Sequence, residues 1–69
     1  MKPEDVHLRE VLFEFQRQGN YVRVIAVDPD SNTEVMMVGD PQVGEEHLKR
    51  IAIRKLKYVI AKQARDRCG

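Results

Sequence analysis

Phe13-Glu14-Phe15-Gln16-Arg17-Gln18-Gly19-Asn20-Tyr21-Val22-Arg23-Val24-Ile25-Ala26-Val27 decides the fold. From Val11 to Arg17 the chain alternates, with Val11, Phe13 and Phe15 on one side and Leu12, Glu14 and Gln16 on the other; β-branched residues dominate Tyr21 to Val27. Both are strand signals, because successive strand side chains point to opposite faces and branched ones suit a half-buried pleated surface. Gly19-Asn20 between them makes a two-residue hairpin loop, with Gly free to take the positive φ such a loop needs. So short a loop leaves one register. Gln18 faces Tyr21, Arg17 faces Val22, Phe15 faces Val24, Phe13 faces Ala26 and Leu12 faces Val27.

Working outward, Asp28-Pro29-Asp30-Ser31-Asn32-Thr33 holds turn-forming residues throughout, and a third strand is expected over Thr33 to Gly39. A loop of Pro29 to Asn32 sets Asp28 against Thr33, Ala26 against Val35, Val24 against Met37 and Val22 against Gly39. One face of the sheet then collects Phe13, Phe15, Val22, Val24, Ala26, Val35 and Met37, and is the core face. The other collects Leu12, Ile25, Val27, Met36 and Val38 among Glu14, Gln16, Arg23 and Glu34, which is too apolar for ordinary solvent surface.

Gly39-Asp40-Pro41 ends the sheet, and from about Gly44 the period changes. Leu48, Ile51, Ala52, Leu56, Val59 and Ile60 recur at steps of three and four; Glu45 and Glu46 suit a helix N-terminus, Arg65 and Arg67 its C-terminus. The expected fold is α+β, a three-stranded antiparallel β-meander followed by one long C-terminal α-helix packed on one sheet face. Residues 1–10 read as a flexible N-terminal segment, 11–66 as the domain and 67–69 as a tail.

The chain has 69 residues, enough for one small domain, and a domain of this size buries only about 60% of the surface its unfolded chain exposes. With one cysteine it has no internal disulfide to supplement so small a core, which favours oligomerisation. No apolar run exceeds four residues, so no membrane span or membrane partner is expected. The charged start carries no secretory pattern, and the lone Cys68 reads as a free thiol in a reducing compartment; a cytoplasmic location is the expectation.

Candidate chemistry is sparse. Asp28-Pro29-Asp30-Ser31-Asn32-Thr33-Glu34 opens like a calcium loop, but Thr33 stands where the sharp turn needs Gly and Gly39 where a bidentate Glu is required, so Asp28 is expected to bond its own turn. Ser31, the one serine, has no base placed beside it, and His7, His47 and Cys68 lie in separate segments rather than in a close ligand pair. Glu14 and Glu34 read as solvated charges on opposite edge strands rather than as a paired acid and base. A fold this small is expected to leave no pocket of a few hundred Å³. No catalytic residue, cofactor, metal or small-molecule substrate is therefore expected, and the chain reads as non-enzymatic.

Two surfaces remain. Residues 1–44 carry four basic and eight acidic residues, a balance of −4, whereas residues 45–69 carry eight basic and three acidic, a balance of +5. Within the helix Arg50, Arg54, Lys57 and Arg65 form a stripe opposite Leu48 and Val59 that could track phosphates, with no aromatic interleaved to stack on bases. The outer sheet face, with Leu12, Ile25, Val27, Met36 and Val38, would make an apolar patch rimmed by charge, of a kind monomers seldom expose. Either the Val6-His7-Leu8 segment or a more wrapped sheet covers part of it, or another molecule does, and a homodimer or another protein is the expected partner, with nucleic acid at the helix stripe the alternative.

The runs Phe13-Glu14-Phe15-Gln16-Arg17-Gln18-Gly19-Asn20-Tyr21-Val22-Arg23-Val24, Ala26-Val27-Asp28-Pro29, Val38-Gly39-Asp40-Pro41 and Lys55-Leu56-Lys57-Tyr58-Val59 resemble a family of short, uncharacterised bacterial proteins, a domain of unknown function, over roughly Val11 to Ile60. Some members of that family carry a hydroxymethyltransferase label. A pyridoxal-phosphate enzyme of that kind needs a large domain around a Schiff-base lysine, so the resemblance implies neither catalytic residues nor a cofactor here. It implies a free-standing cytoplasmic protein.

Overall fold

The computed structural model describes residues 2–68, and side chains as far as Asp66. Strands β1 (Leu12–Gln18), β2 (Tyr21–Asp28) and β3 (Thr33–Gly39) form an antiparallel sheet in the order β1-β2-β3, followed by helix α1 (Glu45–Cys68). The β1–β2 register pairs Gln18 with Tyr21, Phe15 with Val24 and Leu12 with Val27, while β2–β3 pairs Asp28 with Thr33, Ala26 with Val35 and Val22 with Gly39. Every pairing counted outward from the two loops is met. Gly19 takes φ +59° and Asn20 does not go positive, the pattern of a type II′ turn; in the second loop Asn32 supplies the left-handed residue at φ 56°.

That second loop holds itself in place. Asp28 is buried, and its carboxylate accepts from the Asp30 backbone N–H (3.2 Å) and the Ser31 hydroxyl (2.7 Å), the self-bonded turn expected from the sequence. The buried Thr33 hydroxyl lies 2.8 Å from Ser31 Oγ and donates to Gln63 Oε1 at 3.1 Å, tying the loop to α1. A neutral bond such as Thr33–Gln63 contributes about 0.5–1.5 kcal/mol, and those to the carboxylate somewhat more.

Between β3 and α1, Asp40 caps a short 3₁₀ turn, Pro41–Val43, by accepting from the Gln42 N–H at 2.9 Å, and Gly44 (φ 95°) redirects the chain into the helix. No Gly or Pro interrupts residues 45–68, so α1 runs 24 residues, continuing through Arg67 and Cys68. Its Leu48, Ala52 and Leu56 close over Val22, Val24, Ala26 and Val35, with Leu8, Val11, Phe13, Phe15, Met37, Val59 and Ile60 packed around them. Leu48 packs so tightly over Gly39 that a Cβ there would collide with its Cδ2, which explains why β3 ends on glycine.

Helix α1 lies over β2 and β3 rather than centrally over the sheet. On β1, Phe13 and Phe15 are consequently only half-buried; their rings stack at 6.2 Å and Lys49 Nζ sits 5.6 Å from the Phe13 centroid. On the opposite flank Lys55 Nζ donates to the Met36 carbonyl at 3.0 Å, on edge strand β3.

The N-terminal segment has a placement that periodicity does not signal. Pro3–Asp5 forms a 3₁₀ turn that packs on α1, and Val6, which closes it through a 3.1 Å bond to the Pro3 carbonyl, is 6% exposed. This turn covers the side of the helix turned away from the sheet. Ala61 lies about 140° round the helix from Leu56, yet it is only 4% exposed.

Candidate functional site

The sheet's outer face is built by period-two alternation in register. Its rows read Gln16, Arg23, Val38; then Glu14, Ile25, Met36; then Leu12, Val27, Glu34. Ile25 and Val27, on the central strand, are half-buried by their neighbours, whereas Leu12, Met36 and Val38 are 51%, 53% and 60% exposed. All five patch residues thus share one surface, and no described segment lies over it: Val6 belongs to the turn on α1, and Leu8 packs into the core cluster on the other side of the sheet. Within the patch Glu14 accepts from Gln16 at 2.7 Å, and Arg23 has an Nε shielded from solvent with no hydrogen-bond partner.

The second surface is the back of α1. Arg50, Arg54 and Lys57 line one groove of about 370 Å³ together with Ile53, Pro3 and Glu4. Beyond Pro3 a smaller hollow of about 60 Å³ is lined by Tyr58, Ala61, Lys62 and Arg65. The four stripe residues therefore share one face, as their spacing requires, but the N-terminal turn crosses that face and gives it walls. A third recess, about 250 Å³, opens at the other end of the molecule between Phe15, Arg17, Val22, Pro41, Glu45 and Leu48. The expectation that so small a fold leaves no such space is corrected: the two short 3₁₀ turns stand beside the helix and border open recesses, Pro41 at this one and Pro3 at the other two. Pro3-Glu4 was the available signal, a proline followed by acidic residues able to start a turn beside a basic helix.

The remaining candidates do not converge. Glu14 and Glu34 sit on opposite edge strands one row out of register, about 12 Å apart across β2. His7 and His47 are both exposed, and among the described residues no three His, Cys, Asp or Glu side chains are grouped to hold a metal ion. Ser31 is committed to its loop. No helix of the described residues is long and apolar enough to cross a membrane.

Fold and surfaces together define a small βββα domain with an apolar sheet back and a basic helix back. Residues 8–63 match the family model described as domain of unknown function (DUF6898), and the chain belongs to that family. No curated protein matches the chain, and no solved structure does. The family contributes no functional residue; the matched span holds all three strands and most of α1 and leaves out the Pro3–Asp5 turn.

Proposed function

We propose that the protein is a non-enzymatic interaction module that self-associates through the outer face of its sheet. The observation that carries this reading is the exposure of Leu12, Met36 and Val38 beside Ile25 and Val27, with no part of the described chain above them. Opposite charges stand at the two ends of the same patch, Arg23 in its first row and Glu34 in its last, and suit the self-complementary contact that a two-fold dimer requires. Three strands about 4.8 Å apart and seven residues at about 3.3 Å make a face of roughly 14 by 23 Å. Two copies stacked on it bury on the order of 700 Å² before side-chain relief is counted, so the dimer is of the weak, concentration-dependent kind.

Light scattering over a hundred-fold range of protein concentration tests this. The expected result is a mass rising from monomer to dimer and little changed by salt, as an apolar contact requires. Replacing Met36 or Ile25 with Lys is expected to hold the mass at monomer while the circular dichroism spectrum keeps its shape. A wild-type monomer at every concentration, or dimers that survive both substitutions, would overturn the reading.

A further inference from the structure

We propose that the back of α1, together with the N-terminal turn, binds single-stranded nucleic acid, with Arg50, Arg54, Lys57 and Arg65 on phosphates and Tyr58 under a base. This surface lies on the far side of the molecule from the sheet patch, and the proposal does not rest on self-association.

Four observations carry it. The cations from Arg50 to Arg65 extend along about 22 Å of helix, at 1.5 Å per residue, room for on the order of four nucleotides. None of the four is in an ion pair among the described residues, whose two salt bridges are Arg9–Asp30 and Lys49–Glu46. They do not stand on a bare convex helix, because Pro3 borders an open groove to which it and Ile53 contribute apolar surface. And Tyr58, 59% exposed, lines the next hollow with Lys62 and Arg65. No aromatic is interleaved within the stripe itself; helical geometry sets Tyr58 at its margin, beside cations that hold a backbone while its ring is free to stack.

The exposed ring decides between strand types. A base can stack on tyrosine only when it is unpaired, so a single strand uses the whole surface and a duplex only its charges. One group opposes binding. Glu4 shares the groove with Arg50, Arg54 and Lys57, and its carboxylate repels the phosphates they attract.

The test is fluorescence anisotropy of a labelled fifteen-nucleotide thymidine strand, and of a duplex of equal length, from 50 to 300 mM salt. Wild type is expected to prefer the single strand, with log K falling against log salt at a slope of about −2 to −3, for three or four phosphates at about 0.7 each. Arg54→Ala is expected to weaken binding and reduce that slope by about 0.7. Tyr58→Ala is expected to weaken binding roughly five- to hundred-fold with the slope unchanged, since stacking releases no counterions. Glu4→Gln is expected to tighten binding, a result that a non-specific basic surface elsewhere on the molecule does not give. All three side chains are exposed, and unchanged circular dichroism confirms that the variants fold. Absence of binding at 50 mM salt, a duplex bound as tightly as the strand, or slopes and affinities indifferent to Arg54 and Glu4 would each overturn the proposal.

Discussion

The backs of the two layers have been treated oppositely. Behind the helix, a side chain as small as Ala61 is almost completely covered because the Pro3–Asp5 turn lies across it; behind the sheet, Met36 and Val38 stand more than half exposed. If apolarity alone decided what is covered, the N-terminal segment would lie on the sheet. Its route is set instead by where β1 begins and by Leu8 and Val11, which pack into the core on the helix side and leave residues 3–6 within reach of α1 alone. Coverage in so small a domain follows chain connectivity first and hydrophobicity second.

The largest effect is expected where both surfaces have their common support. Leu56 is fully buried, and Leu56→Ala is expected to cost about 2–5 kcal/mol, enough to unfold much of the population and remove both faces together, as measured by urea denaturation. Gly39→Ala comes next. Leu48 is 3% exposed and cannot swing away freely from the new methyl, so a loss of about 1–3 kcal/mol is expected in the same measurement. The two backs themselves are then contrasted by truncating one apolar side chain on each. Val6→Ala removes buried methyl groups and is expected to cost about 1–2 kcal/mol, whereas Met36→Ala is expected to change monomer stability by less than about 0.5 kcal/mol. Equal losses from the two would mean that the sheet back is covered after all.

The meander was legible because its information is local. Gly19-Asn20 and Asp28 to Asn32 each fix a register over a few residues, and two registers counted separately agree on one apolar face. The helix was legible from its period. What could not be read were contacts between segments far apart in the chain: the turn at Pro3 against Ala61, the offset of α1 toward β2 and β3, and the reach of Lys55 to Met36. None of these has a periodic signature, and each depends on the angle at which the helix crosses the sheet. For the same reason the stripe of cations was visible in the sequence, while the groove it lines and the place of Tyr58 beside it were not.

The Lys55–Met36 bond bears on how copies of this chain can accumulate. A strand at the border of a sheet offers its unpaired main chain to any other strand, and union by that route has no natural end, since each added strand presents a fresh border. Lys55 sets a hydrated positive charge on the border of β3 and takes up one of its carbonyls. Growth along the hydrogen-bonding direction is thereby hindered at that border, whereas the face-to-face contact proposed above would use the same surface of both partners and stop at two. Lys55 thus makes the border of β3 a poorer template for another strand than its bare main chain would be.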